Sequence, residues 1–246
     1  MKELIQKAAE LLRNSKHTTA FTGAGISVES GIPPFRGEDG LWSKYDPIVL
    51  DINYFNANPR HSWEVIKEIF YDFFGAASPN AAHYFLASLE KEGLLSSVIT
   101  QNIDNLHQEA GSHKVHEYHG SSQNLVCMKC GQSYLSSDLQ FDRLPVRCSR
   151  DGGLLKPDFV FFGEAIPEEA QKASNEEAFQ SEVFLLIGST GEIMPASLIP
   201  RMAKENGATI IEINSNESNY TPGITDIFLQ GKATDICSKL SKHLFT

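Results

Sequence analysis

Three groups of residues in this chain of 246 have the types and spacing to do chemistry. His119 precedes Gly120 at the end of a predicted strand, Val115 to His119. An imidazole there can accept a proton near neutral pH, although a lone histidine at a strand end is more often a structural residue. Asn102 and Asp104 stand in Thr100-Gln101-Asn102-Ile103-Asp104-Asn105-Leu106-His107, directly after the buried-strand pattern Leu95 to Thr100. They read as turn and cap formers, or as polar groups facing a ligand beyond the strand's carboxyl end. Cys127-x-x-Cys130 is followed after 17 residues by Cys148-x-x-Asp151. That is zinc-ribbon spacing with a carboxylate as the fourth donor; a metal-free insertion is the alternative.

Those residues need a frame to position them, and the sequence predicts an α/β one. Thr18 to Thr22 is a short β-branched, apolar run that enters Gly23-Ala24-Gly25-Ile26-Ser27. Glycines let such a turn approach a pyrophosphate closely, and a helix beginning near Ser27 would aim its free N–H groups at it. The third glycine of the dinucleotide fingerprint is absent, so a plain structural turn is the other reading. Helical spacing is clear in Met1 to Lys16, after Asn58-Pro59 through Trp63 to Phe70, and at Ala82, Phe85, Leu86 and Leu89 before Gly93. Phe159 to Phe162, Val183 to Ile187 and Thr209 to Ile213 read as strands; Pro167 to Phe179, the segment after Pro195 and Asp235 to Leu244 read as helices. Alternation of this kind implies a parallel sheet covered on both faces.

An apolar fraction of 41% suits a substantial core, and a formal net charge of −10 argues against nucleic acid as a partner. An acidic surface suits basic, lysine-rich protein segments. No apolar run reaches membrane-spanning length, and the amphipathic N-terminus differs from an export signal. A reducing cytoplasm is therefore expected, where clustered cysteines serve as metal ligands. Nothing in the sequence sets an oligomeric state.

Taken together, Gly23 to Ser27, Thr100 to His107, His119-Gly120, the cysteine cluster and Phe161-Phe162-Gly163-Glu164 resemble the sirtuin family of NAD-dependent protein-lysine deacylases over nearly the whole chain. The resemblance implies a Rossmann-like doubly wound parallel sheet with a small inserted zinc-ribbon and helical module. The Rossmann-like part would comprise 1–36, 94–120 and 158–246, a helical and loop insertion 37–93, and a zinc-binding insertion 121–157. It implies His119 as the base and Asn102 as the residue holding a ribose and a water. Gln101 would contact the ribose, Ile103 and Asp104 the nicotinamide amide. Phe35 would shield the ribose carbon from water, and Arg36 would order the NAD site. Gly188-Ser189-Thr190, Asn214-Ser215-Asn216 and Gly231-Lys232-Ala233 would meet the phosphates, ribose and adenine. Val160, Phe161, Phe162 and Gly163 would pair with the backbone of an acylated protein or peptide.

The implied reaction releases nicotinamide, attaches the acyl oxygen to the ribose, and ends in free lysine and O-acyl-ADP-ribose. Three departures from the family pattern stand out: Pro34 before Phe35, Asp151 where the family's fourth metal ligand is a cysteine, and Gly191-Glu192 after Thr190. One branch of the family takes succinyl and malonyl groups with Tyr-x-x-Arg after the helix tryptophan; counting from Trp63, those places hold Ile66 and Ile69. Neither pairs with a carboxylate, so neutral acyl groups are expected. A protein mono-ADP-ribosyltransferase and a non-catalytic NAD or ADP-ribose binding module are the other functions compatible with these residues.

Overall fold

Parallel strands buried on both faces need continuous apolar or β-branched sequence, and three segments supply it. Strands β1 (Thr18–Thr22), β2 (Ser97–Thr100) and β7 (Val183–Ile187) are buried at every residue in the computed structural model, which describes residues 1–35, 37 and 40–245. With β3 (Val115–Glu117), β8 (Thr209–Asn214) and β9 (Ile227–Gln230) they form one parallel sheet in the order β3-β2-β1-β7-β8-β9. The first half winds outward from β1 and the second outward from β7. The strand order therefore reverses between β1 and β7, where such sheets open a crevice at their carboxyl ends.

Side chains alternate across β7, and each set has its own layer. Val183, Leu185 and Ile187 pack with α1 (Lys2–Asn14), α4 (Ala81–Lys91) and α8 (Ala233–Leu244) through Ile5, Leu12, Phe85, Leu86, Ile236 and Leu240. Phe184 and Leu186 face α6 (Glu168–Gln180) and α7 (Leu198–Glu205) through Ala178, Ile199 and Ala203. Asn80 starts α4: its side chain accepts from Ala82 N at 2.9 Å while His83 Nδ1 accepts from Asn80 N at 3.2 Å. That reciprocal cap fixes two otherwise orphaned donors.

Several elements differ from the sequence reading. No α-helix begins near Ser27; residues Ala24–Ile26 and Val28–Ser30 form two 3₁₀ turns, and Gly31 at φ +91° ends them. Pro33 and Pro34 follow immediately and cannot donate the bonds a longer helix needs. The strand expected at Phe159 to Phe162 lies earlier, as β6 (Leu155–Phe159). It joins β4 (Gly120–Cys127) and β5 (Ser133–Leu135) in an antiparallel sheet of order β5-β4-β6. Asn58 occupies the N-cap position of α3 (Pro59–Ile66) without a side-chain bond. The short helix α2 (Ile52–Ala57) before it is capped by Asp51, which accepts from Asn53 N and Tyr54 N at 2.9 Å. α3 continues as a π-helical turn, Lys67–Phe73. Trp63 ties this segment to the small sheet by donating from Nε1 to Leu155 O at 2.9 Å. Among the described residues no helix is long and apolar enough to cross a membrane.

Two buried histidines link α4 to the crevice. His107 Nε2 lies 2.8 Å from Thr22 Oγ1, and its ring meets His83 edge-on with centroids 5.0 Å apart. Burial lowers the pKa of His83 to about 4 and that of His107 well below its usual value. Both are neutral in the folded protein and charge on unfolding in mild acid, so stability is full above pH 6.5 and falls as pH drops below it. From pH 7 to pH 5, His83 alone should remove roughly 2 kcal/mol. Urea unfolding of the wild type and of His83→Gln at both pH values checks this; an equal loss in the variant would contradict it.

Candidate functional site

The loops leaving β1 and β7 touch backbone to backbone. Gly23 N donates to Ile187 O at 3.0 Å and Gly25 N to Gly188 O at 2.9 Å. A Cβ on Gly25 would stand 2.6 Å from Gly188 Cα, and one on Gly188, at φ +65°, only 2.4 Å from Ile26 N. These glycines are required by the crossing itself. Beside it, Ser27 Oγ donates to Asp104 Oδ2 at 2.7 Å, and Asn102 Nδ2 donates to Ser27 Oγ at 3.2 Å and Gly23 O at 3.3 Å. Burial pushes the Asp104 carboxyl up, and the Ser27 hydroxyl works against that shift. Gln101 Nε2 donates to Ser189 Oγ at 2.9 Å, so the segment after β2 is tied to the loops after both β1 and β7.

His119 stands two residues past β3. Its Nδ1 lies 2.9 Å from Gln101 O. A carbonyl only accepts, so Nδ1 carries the proton and Nε2 keeps its lone pair. Burial lowers the His119 pKa, partly opposed by the Gln101 carbonyl, which holds the ring neutral at physiological pH. Gly120 follows at φ +73°, where a Cβ would lie 2.3 Å from Asp158 O. The His-Gly pair thus sets a neutral imidazole next to the one residue type that lets β4 pass this close to β6.

A cavity of about 520 Å³ opens on His119. Of the residues singled out in the sequence, Phe35, Gln101, Ile103, His119 and Val160 to Gly163 line it. Asn102 and Asp104 do not line it; Asn102 is buried with Ser27, and Asp104 is partly buried beside them. Gly23, Ala24, Gly25, Gly188, Ser189, Thr190, Asn214, Ser215, Asn216 and Ala233 lie outside it, along the ends of β1, β7 and β8 and the start of α8. Arg36 lies outside the described residues.

Ile66 and Ile69 do not reach the cavity. They are 0% and 2% exposed within the core of the small module, and Phe70 lines the cavity instead. Ile66 closes α3 and Ile69 lies in the π turn that follows; both pack into the aromatic core of the small module rather than toward the cavity. Trp42, Leu50, Ile193 and Met194 also line the cavity. No sequence pattern marks them, because they converge from separate loops.

The Val160 to Gly163 segment is held from inside. Val160 N donates to His119 O, Phe161 N to Glu164 Oε2 and Phe162 N to Leu50 O, each at 2.8 Å. Lys156, missed by the sequence reading, sits beneath: Nζ donates to Pro157 O and Phe159 O at 2.8 Å and pairs with Glu164 at 3.0 Å. It also lies 4.2 Å from the Phe161 ring centroid.

In the small sheet, ligand atoms of Cys127, Cys130, Cys148 and Asp151 all lie within 4.8 Å of one another. The Cys130 and Cys148 sulfurs are 3.8 Å apart, and two thiolates bound tetrahedrally to one zinc ion stand ~3.8 Å apart. Asp151 Oδ1 is held by Gly153 N at 2.9 Å and lies 3.5 Å from Cys127 Sγ. Tyr134 OH meets Cys148 Sγ at 3.0 Å. The donor set and spacing fit zinc.

The reversed strand order and the glycine crossing define a Rossmann-like α/β protein carrying an antiparallel module. Residues 23–195 match the model of the Sir2 family. NAD-dependent protein deacylase 2 of Pyrobaculum aerophilum is 46% identical over 240 residues, covering 96% of this chain and 94% of that one. NAD-dependent protein deacylase 2 of Archaeoglobus fulgidus is 45% identical over 250 residues, covering 99% and 97%. A Sir2 enzyme structure superposes with a TM-score of 0.91 at 44% identity over 100% of this chain and 99% of that one. A Sir2–p53 peptide–NAD⁺ structure gives 0.89 at 32% identity over 97% of each. The chain belongs to the Sir2 family.

The geometry at Gly120 predicts that Gly120→Ala is destabilising. Positive φ alone costs about 1–3 kcal/mol, and the contact with Asp158 O adds to it. Thermal unfolding should show a Tm lower by about 5 °C or more; an unchanged Tm would mean that β4 and β6 are not packed this closely.

Proposed function

We propose that this chain removes acetyl or other neutral acyl groups from lysine side chains of proteins, consuming NAD as co-substrate. Each turnover consumes one NAD and one water, and the products are nicotinamide, O-acyl-ADP-ribose and the free lysine. One observation carries the reading: a neutral His119, anchored through Nδ1 and free at Nε2, in the wall of the cavity that also contains Val160 to Gly163. The names of the relatives support it, since both Pyrobaculum and Archaeoglobus proteins are called NAD-dependent protein deacylases.

NAD supplies a leaving group, nicotinamide, and a ribose hydroxyl that takes over the acyl group. Gly23, Ala24, Gly25, Ser27, Gly188, Ser189, Thr190, Asn214, Ser215, Asn216 and Ala233 would hold its phosphates and adenosine. Phe35, Arg36, Gln101, Asn102, Ile103 and Asp104 would hold the nicotinamide side. His119 Nε2 accepts the proton of the ribose hydroxyl as that oxygen attacks the acyl carbon. Positioning and exclusion of water by Phe35 and the apolar wall contribute further.

The peptide would add as a strand beside Val160 to Gly163. The N–H groups of Val160, Phe161 and Phe162 are already used inside the protein, so the backbone groups of Val160 and Gly163 would meet it. No lysine or arginine is among the described residues lining the cavity. An anionic acyl group would enter unpaired, which disfavours succinyl and malonyl groups.

In the same reading 37–93 and 121–157 are insertions in the NAD-binding body. Cys127, Cys130, Cys148 and Asp151 would hold a structural zinc ion, which suits a reducing compartment such as the cytoplasm. Zinc would supply folding energy to β4 to β6 and no chemistry to the reaction.

Mass spectrometry of an acetyl-lysine peptide incubated with the protein should show deacetylation and O-acetyl-ADP-ribose only when NAD is present. His119→Ala should lower that turnover about 10²–10⁴-fold; unchanged turnover would remove His119 as the base. Because the His119 pKa is depressed, kcat/KM should fall in acid with a midpoint below 6.5 and stay level above it. A midpoint above 6.5 would contradict a neutral, buried base. Elemental analysis should find zinc in the purified protein, reduced in Asp151→Ala; equal content in the two proteins would exclude Asp151 as a ligand.

A further inference from the structure

Glu212 lies in β8 and is 0% exposed. Its neighbours along the strand, Ile210, Ile211 and Ile213, are apolar core residues. A carboxylate in such a place is costly unless fully hydrogen-bonded. The four bonds described for it come from neutral donors. Oε1 accepts from Ser218 Oγ at 2.6 Å and Asn214 Nδ2 at 3.2 Å; Oε2 accepts from Thr225 Oγ1 at 2.6 Å and Thr221 Oγ1 at 2.9 Å.

These donors fold the segment after β8 back onto its own strand, and that segment is fastened in turn to the loop after β7. Asn214 Nδ2 also donates to Ser189 O at 2.9 Å, and Asn219 N donates to Thr190 O at 3.0 Å. Tyr220 is packed so tightly beneath Gly191 that a Cβ there would lie 2.8 Å from its ring. One buried carboxylate therefore fixes both loops, 188–191 and 214–225, relative to each other. These loops carry the residues assigned above to the phosphates and adenosine of NAD, while His119 and Val160 to Gly163 belong to other segments; Ile193 and Met194, just beyond the 188–191 loop, are its contribution to the cavity wall.

We propose that Glu212 is a positioning residue for the adenosine half of NAD: it touches no substrate atom but sets the loops that do. This inference rests on the NAD reading. Its signature is a split between substrates, because the 188–191 and 214–225 loops meet the dinucleotide and the peptide groove is held separately through Lys156 and Glu164.

The experiment uses the full chain with its metal. ADP-ribose binding is measured by calorimetry, and KM for NAD and for an acetyl-lysine peptide by steady-state kinetics. In Glu212→Leu, the ADP-ribose Kd and the NAD KM should rise about tenfold, the value of one or two lost hydrogen bonds. The kcat at saturating NAD and the peptide KM should stay within about twofold. Glu212→Gln keeps an acceptor for Ser218 and Asn214 and should fall between Leu and wild type. A folded Glu212→Leu with wild-type ADP-ribose affinity would overturn the proposal, as would equal losses in kcat and in both KM values. Should Glu212→Leu fail to fold, Glu212→Gln carries the same comparison, and an unchanged Kd there overturns it. The wild type is measured first: if it binds no ADP-ribose, the NAD reading itself fails and takes this inference with it.

Discussion

The backbone crossing of the loops after β1 and β7 is the constraint on which the rest of this structure depends. Gly25 and Gly188 meet at a separation that leaves no space for a side chain on either. The contact closes the floor of the crevice where the strand order reverses. It also brings Ser27 to Asp104 and Asn102 and sets Ser189 within reach of Gln101. A side chain at either glycine would push β1 and β7 apart at their carboxyl ends and uncouple these pairs. The polar residues of the site are therefore held by backbone packing before any ligand arrives.

The site itself forms at a seam between two sheets. His119 follows the edge strand of the parallel sheet, and Gly120 opens the antiparallel one. The Gln101 carbonyl fixes the tautomer of the imidazole, and Val160 is bonded to the histidine's own carbonyl. The imidazole and the segment proposed to receive the peptide are thereby fastened to the same few atoms. Lys156 and Glu164 stiffen that segment from below with a largely buried ion pair stacked against Phe161. Removing either partner would leave the other charge largely buried without its counter-charge, which is costly.

The small module is held by two agents at opposite ends. Trp63, Phe70, Phe159 and Phe161 form an aromatic core beneath the cavity. The three cysteines and Asp151 gather at the far end, around strands of only three to eight residues. Strands that short bury little surface, and a metal ion would supply cohesion that packing alone does not. Asp151 takes part in a turn as well as the ligand set, through its bond to Gly153 N.

The sequence by itself determined the parallel sheet, the principal helices and the cysteine-aspartate grouping, and it singled out the His119-Gly120 pair that the structure places on a cavity wall. Each depends on local regularities: runs of β-branched residues, helical spacing, a Gly after a His, and Cys-x-x-Cys. Even there the local rule had a second meaning, since Gly120 serves positive φ and the approach of β6 as much as it marks the base. Only the tertiary structure decided which residues share a wall. Ile66 and Ile69 lie in the core of the small module, whereas Phe70, the next residue, reaches the cavity wall, a difference that helical spacing alone does not resolve. Nothing in the sequence marks a special part for Lys156 or Glu212, whose partners are drawn together only by the fold. Propensity and periodicity act within a turn or a strand pair, whereas a cavity is made by segments distant in the chain, and its walls are set by how those segments pack.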